Sequence, residues 1–514
     1  MYYKVNDILS FDIWYLKWTF KYESHFCIYC FLCFLLKNKN ELDVIKSCFN
    51  NNLKLIKWNK LLDNFKEINN EYIYLSNGKN FICIQKTYNK HPYCIFHEEN
   101  YFLDTKIIYK TTKDNTVHNI ENYKIEEDKE ILWRTGIVKY VEFNYTSTAL
   151  SNNPLSFISE NEELFFVCSW YFNSNNSEII SKRISIMEWI ERFCLFSYDN
   201  SLFINKNLLN NNKFNWITYL NIYNFVNLFD KKDDDINTYL IKVFDIKNNK
   251  EFYIDSKYIL FNPKIKNNYI NSTWWASHFL YKQCIINWLE ELIERDSLMK
   301  LWLYRYSPDL YSNLLIWSEY NNIVSLIWKN FDIKLFKVKS LIWYTTLAIW
   351  INIDIKADNP RFIYWSSHSF YEQESINWAI KELYMTYNNL RQYDFKLLNK
   401  EEVISVMDHY YYYQDISNFK QLDFLFKSNK IIDFVKSNNY RDYNFKSIIE
   451  KIPFNFYILN LTPKFLFNKW IYVVKVISWN LQTMDFWYQN LRISKSLNFN
   501  KISKDSLLYP HPFF

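Results

Sequence analysis

Only two of the chain's 514 residues are glycine, Gly78 and Gly136, where average usage would give roughly 36. A chain of this length needs many positive-φ turns and close backbone approaches, which glycine normally supplies. Folds built on glycine-rich loops are therefore closed to it. Neither a Walker loop nor a G-x-S-x-G elbow can be written with so few glycines. A bound nucleotide must instead be held by carboxylate-bound magnesium and by arginine or lysine. Asparagine can take some of the missing turns, but the chain also carries 20 tryptophans, which can take almost none.

Charge narrows the function classes. The net charge of +6 comes from 61 basic and 55 acidic side chains spread along the whole length, with no basic block or arginine-rich arm, so no nucleic-acid partner is expected. The apolar run from Phe26 to Leu36 is too short to span a bilayer. Neither a signal peptide nor membrane attachment is expected. Nine cysteines, an odd number without an export signal, favour reduced thiols and a cytoplasmic location.

The chemistry is concentrated in a repeated pentapeptide, Glu-x-x-Glu-Arg. It occurs as Glu188, Glu191 and Arg192, and again as Glu291, Glu294 and Arg295, each late in a stretch that reads as an amphipathic helix. Residues three apart on a helix share a face, so each copy points two carboxylates the same way. Gln283 and Asn287 precede the second copy at helical spacing and extend it into a stripe of oxygen-bearing side chains. One such pattern alone reads most simply as solvated surface charge. Two copies, one beside a polar stripe, favour four carboxylates converging on Mg²⁺, a hard cation that takes oxygen ligands together with phosphate.

The surrounding chain alternates β-rich runs, Ile137 to Phe143, Leu164 to Phe172 and Trp470 to Ile477, with helices that include one near Glu374 to Tyr387. The expected class is α+β. A charged stretch, Glu121 to Glu130, reads as a linker, and the acidic run Asp233 to Asp235 as a solvated loop. Ahead of the linker, Cys27-x-x-Cys30 and Cys94-x-x-His97 have the paired short turns of a tetrahedral structural zinc site. Buried free cysteines are the alternative.

The order of these pieces is identifiable. Asn271-Ser-Thr-Trp-Trp-Ala-Ser-His-Phe, running on through Gln283, Asn287, Glu291, Glu294, Arg295 and Asp296, resembles the second nucleotide motif of the YcaO superfamily, and the first pentapeptide resembles the earlier one. Thr135-Gly136-Ile137-Val138, Val406-Met-Asp408-His409 with Tyr413, Val473-Val-Lys475-Val476 and Tyr509-Pro510-His511-Pro512-Phe513-Phe514 follow the family order. The resemblance covers about residues 130 to 514. It implies a YcaO-type ATP-binding fold, with residues 1 to 120 as a partial E1-like segment carrying the zinc ligands.

The Asp408-His409 segment and the proline-bearing tail resemble the azole-forming cyclodehydratase branch. That branch uses ATP to phosphorylate the backbone amide oxygen of a ribosomally made peptide after a Cys, Ser or Thr side chain has attacked, leaving a thiazoline or oxazoline. By resemblance Glu188, Glu191, Glu291 and Glu294 hold Mg²⁺, while Arg192, Arg295, Gln283 and Asn287 complete the ATP site. Pro510, His511 and Pro512 serve cyclisation. Gln283 and Phe279 depart from the family's frequent Glu and Asn. The implied partners are a precursor peptide and a separate leader-binding E1-like or winged-helix protein, and the resemblance also allows an azoline dehydrogenase and a homodimer. Two alternatives stay open: a thioamide- or amidine-forming enzyme of the same fold, and a non-catalytic peptide-docking scaffold.

The resemblance also accounts for the glycine deficit. Trp170, Trp274, Trp288, Trp365, Trp470, Trp479 and Trp487 stand where the family pattern calls for glycine, with Trp18 and Trp189 as further candidates. The expectation is a gene that reads UGA as glycine, here rendered as tryptophan. An indole at such a place overpacks its neighbours or fills a ligand's space.

Overall fold

The computed structural model describes residues 8–13, 16–21, 72–76, 81–85, 124–128, 140–143, 148–159, 162–171, 177–196, 203–205, 225–227, 239–256, 276–312, 331–352, 360–390, 398–403, 406–428, 430–434, 445–484 and 491–513, some by backbone alone. Four strands near the start, β1 (Ile8–Ile13), β2 (Leu16–Lys21), β3 (Tyr72–Ser76) and β4 (Phe81–Gln85), pair in sequence order as an antiparallel sheet. Next come β5 (Tyr140–Phe143), β6 (Thr148–Ser159) and β7 (Glu162–Tyr171), a second antiparallel set against which helix α1 (Ser177–Phe196) packs.

Two larger sheets follow. The first contains β8 (Phe203–Asn205), β10 (Tyr239–Asp245), β11 (Lys250–Asp255), β12 (Ala276–His278), β18 (Tyr457–Asn460) and β19 (Tyr472–Ile477), in the order β11-β10-β18-β19-β12 with β8 also on β10. The second runs β16-β15-β14-β13-β17, from β13 (Asp309–Tyr311), β14 (Phe331–Val338), β15 (Tyr344–Asn352), β16 (Phe362–Ser369) and β17 (Ile431–Ile432). A short ribbon pairs β9 (Phe225–Asn227) with β20 (Arg492–Ser494).

Helix α2 (Tyr281–Tyr304) joins the two sheets. Its first half places Cys284, Ile285, Trp288 and Leu289 in one core with Val473, Val474 and Val476 of β19. Its second half places Leu298, Leu301 and Trp302 against Phe336, Leu347 and Ile349 of the second sheet. Strand side chains alternate between faces, so Ala348, Trp350 and Ile363 emerge on the other face. There they meet Ile376, Ala379, Ile380 and Leu383 of helix α3 (Glu372–Leu390). The second sheet is thus covered on both sides, which is why β15 is buried along nearly its whole length.

The expected helix near Glu374 to Tyr387 is α3, and the run Leu164 to Phe172 falls almost wholly within β7. The second pentapeptide lies in mid-helix rather than late, because α2 continues to Tyr304. Of the charged stretch read as a linker, residues 124–128 are described and are anchored to the fold: Ile125 is fully buried in the core with α1 and α2, and Asp128 pairs with Lys469 at 2.7 Å. One apolar side chain among the charges outweighs them, since its burial fixes the backbone. Cys27, Cys30, Cys94, His97, Asp233 to Asp235 and both glycines lie outside the described residues. No helix among the described residues is long and apolar enough to cross a membrane.

Candidate active site

The two pentapeptides face one another. Helices α1 and α2 both pack against β12 and β19, which sets the first carboxylate pair opposite the second. Glu191 and Glu291 lie within electrostatic range, as do Glu188 and Glu191 within one copy and Glu291 and Glu294 within the other. The polar stripe forms as its spacing predicts. Gln283 donates to Asn287 Oδ1 at 2.7 Å, and Arg295 reaches back to Glu291 at 3.3 Å. Arg192 lies on α1, and its side chain falls outside the described residues.

Glu191 and Glu294 are each held by donors from a strand. Glu191 accepts from the Ser277 backbone N–H at 2.6 Å, and the Ser277 hydroxyl donates to the Met187 carbonyl at 3.0 Å, fastening β12 to α1. Glu294 accepts from the Ser366 hydroxyl and from the backbone N–H of His368, both on edge strand β16. An edge strand presents unpaired N–H groups, and here one of them meets a carboxylate.

A fifth carboxylate completes the group. Glu382 of α3 feels Glu188, Glu294 and Glu291 together, and burial with this crowding pushes its acid up to about 8. Burial likewise raises Glu294 to about 7 against the opposing pull of Ser366 and Arg295. Glu191 is raised well above the ordinary range, first by burial, with the Glu188 and Glu291 charges adding to it. Glu290, buried beside Glu294 and Glu374, is pushed to about 8. Sequence spacing did not single out Glu382, because one carboxylate on a helix has no pattern to distinguish it. Ser366 and His368 are equally silent, their role depending on a strand edge.

Magnesium fits this donor set. The groups are oxygen ligands, and burial first, then mutual repulsion, makes Glu191, Glu294 and Glu382 weaker acids than usual, an effect that a bound dication would oppose. Among the described residues, no three carboxylate, imidazole or thiol groups close on a single point at metal-binding distance. Ser277, Ser366 and Arg295 each meet a different carboxylate, Glu191, Glu294 and Glu291. Beside Glu291 and Arg295, a small cleft lies between α2 and residues 478–484, with Trp288 and Met484 in its wall. Asp296 ties that wall in place, accepting from the Gln482 N–H at 2.8 Å and from Lys300 at 2.6 Å.

The proline-bearing tail and the Asp408-His409 segment also meet. His409 lies on helix α4 (Val406–Tyr412), and its Nδ1 donates to the His511 carbonyl at 2.6 Å while the two imidazoles stack. The Tyr413 hydroxyl donates to the Pro510 carbonyl. Phe513 packs edge-on against Tyr364 of β16, with ring centroids 5.4 Å apart. Tyr364 and Ser366 share a face of that strand, so the tail docks one step along from the carboxylates.

Several tryptophans sit badly. Trp470 has φ of 59° at the end of helix α5 (Lys464–Phe467), where its N–H bonds the Phe467 carbonyl and the Ile471 N–H bonds the Leu466 carbonyl. This is the Schellman arrangement, whose left-handed residue is usually glycine. Trp343, which the sequence reading passed over, has φ of 56°. Trp288 and Trp479 are buried with indole N–H groups that lack an acceptor. Trp170 and Trp18 are described by backbone only, and Trp274 and Trp487 lie outside the described residues.

A family model described as YcaO cyclodehydratase, ATP- and Mg²⁺-binding, matches residues 175–480. The ribosomal operon-associated A protein of Euglena longa is 28% identical over 255 residues, a match spanning 46% of this chain and 44% of that protein. Three solved structures share the fold. A heterocyclase in complex with substrate and cofactor is 11% identical, with 98% of this chain and 77% of that one covered and a TM-score of 0.59. The heterocyclase TruD is 11% identical, with 93% and 70% covered and a TM-score of 0.56. The Escherichia coli microcin synthetase McbBCD complex is 13% identical, with 73% and 96% covered and a TM-score of 0.51.

Proposed function

This chain belongs to the YcaO family of ATP- and Mg²⁺-binding proteins, and on that premise we propose that it is a cyclodehydratase converting Cys, Ser or Thr residues of a ribosomally made peptide into azolines. The convergence of the carboxylates of Glu188, Glu191, Glu291, Glu294 and Glu382 from three helices carries this reading. They would hold Mg²⁺, and Arg295, Arg192, Gln283 and Asn287 would face the phosphates. ATP, when bound, supplies the phosphoryl group that makes an amide oxygen a leaving group. The chain's own part is positioning and charge neutralisation, which is most of what phosphoryl transfer asks of a protein. Ser277 and Ser366 hold Glu191 and Glu294 in place. Trp288 borders the cleft beside Glu291 and Arg295.

Docking of Pro510, His511 and Pro512 on the Asp408-His409 helix supports the azoline branch over thioamide or amidine formation. The partners in this reading are a precursor peptide and a separate leader-binding protein, in the reducing cytoplasm. The test is incubation with Mg·ATP and Cys- and Ser-containing peptides, read by mass spectrometry. Loss of water supports azoline formation, and exchange of oxygen for sulfur would replace it with thioamidation. A Glu291→Ala, Glu294→Ala protein with unchanged ATP hydrolysis would remove the magnesium assignment.

We also infer that glycine stands at several tryptophan positions of the protein as made in its cell, through UGA read as glycine. Positive φ at Trp343 and Trp470 and the unpaired indoles of Trp288 and Trp479 support it. UGG codons at these positions would end it.

A further inference from the structure

Strand β16 carries a second polar side chain on the face that holds Ser366. His368 is two residues further on and so shares that face, while its backbone N–H reaches Glu294. The ring is 4% exposed. On one side it has a complete chain of donors. Nδ1 lies 2.8 Å from Thr345 Oγ1, the Thr345 hydroxyl donates to Ser297 Oγ at 3.4 Å, and the Ser297 hydroxyl donates to the Ile293 carbonyl at 2.7 Å. A hydroxyl has one proton to give. Where that proton goes to Ser297, the Thr345 oxygen accepts from the ring, and Nδ1 then bears the hydrogen and Nε2 the bare lone pair.

Nε2 is buried and has no hydrogen-bond partner. A buried acceptor left unpaired is costly, and each such atom in a fold wants an explanation. The adjacent Glu294 is an acceptor when ionised, and phosphate oxygens are acceptors too, so neither the charged carboxylates nor a nucleotide's phosphates can satisfy a bare nitrogen. A peptide brings donors: its backbone N–H and the O–H or S–H of the attacking side chain.

We propose that Nε2 of His368 accepts a hydrogen bond from the peptide substrate and positions its hydroxyl- or thiol-bearing residue beside the carboxylate cluster. The inference rests on the cyclodehydratase reading. Trp343 bears on it directly, since its ring lies 5.9 Å from the His368 ring and 3.9 Å from that of Phe370, centroid to centroid. With glycine at 343, as its backbone favours, the imidazole loses that cover and a peptide can reach it.

Long-range ¹H–¹⁵N spectra, with His368→Phe to identify the resonances, test the tautomer. The expected result is hydrogen on Nδ1 only; hydrogen on Nε2 overturns the inference. Kinetics in the Trp343→Gly background, with Mg·ATP and a synthetic Cys- and Ser-rich peptide, test the contact. His368→Phe should raise the peptide KM about tenfold, the loss of one hydrogen bond, while the Kd for Mg·AMPPCP changes less than about twofold on that scale. His368→Gln, whose amide oxygen still accepts, should restore most of the KM. A converted peptide with unchanged KM in His368→Phe, or an equal loss of nucleotide affinity, overturns this inference alone. Mg·AMPPCP binding with no peptide converted by either wild type or Trp343→Gly overturns the cyclodehydratase reading, and this inference with it.

Discussion

His409 Nδ1 donates to the backbone carbonyl of His511, and the two imidazole rings stack 4.3 Å apart at 26°. The contact holds the tail by its backbone, leaving Phe513, 1% exposed, to fill the apolar space beside Tyr364. Phe513→Ala removes that filling. Limited carboxypeptidase digestion should then shorten the tail faster than in wild type, and peptide conversion should fall while Mg·ATP binding stays. Unchanged protection would show that the docking is not held by this ring.

Glu382 should matter as much as the motif carboxylates. Substituting Glu382→Ala or Glu294→Ala should lower ATP turnover by about 100-fold, the scale for removing one electrostatic element of a site. Steady-state phosphate release measures this. Full turnover in Glu382→Ala would place that carboxylate outside the site.

Stability should depend on pH in a way that magnesium reverses. Glu294 and Glu382 titrate near 7 and 8 in the fold against an ordinary 4.5. Between these values the native state keeps protons that the unfolded chain has lost, so their effect is to lower stability as pH rises. His368 acts oppositely, near 3 in the fold against 6.5, and costs stability as pH falls through that lower window. Thermal unfolding without magnesium should therefore move to lower temperature from pH 6.5 to 8, the window bounded by these values. Added Mg²⁺ should raise the midpoint more at the upper end, where the carboxylates are ionised. A larger magnesium effect at the lower end would contradict the arrangement.

Trp470→Gly should stabilise the fold. A left-handed residue with a Cβ costs roughly 1–2 kcal/mol, against which glycine's extra unfolded-state entropy is smaller. A net gain of about 1 kcal/mol, read from denaturant midpoints at constant slope, is expected. No gain would mean that the half-exposed indole, at 43%, compensates through its contact with Phe467.

Much of the site was legible in one dimension because helices convert spacing into direction. Glu188, Glu191, Glu291 and Glu294 are separated by three within each copy, and Gln283, Asn287 and Glu291 by four, so their shared faces follow from helical geometry alone. The helix that became α3 and the strand that became β7 were legible for the same local reason. The linker reading failed at Ile125, whose burial is set by a core formed from distant segments.

The sequence by itself determined which helices carry paired carboxylates, the family they belong to, and the shortage of glycine that shows at Trp470 and Trp343. Only the tertiary structure decided that Glu382 joins those carboxylates, that Ser366 and His368 meet Glu294, and that the tail lies on His409. Those contacts join residues tens to hundreds of positions apart through a strand edge and two helix faces. Such approaches depend on how the elements pack, and no local period records them.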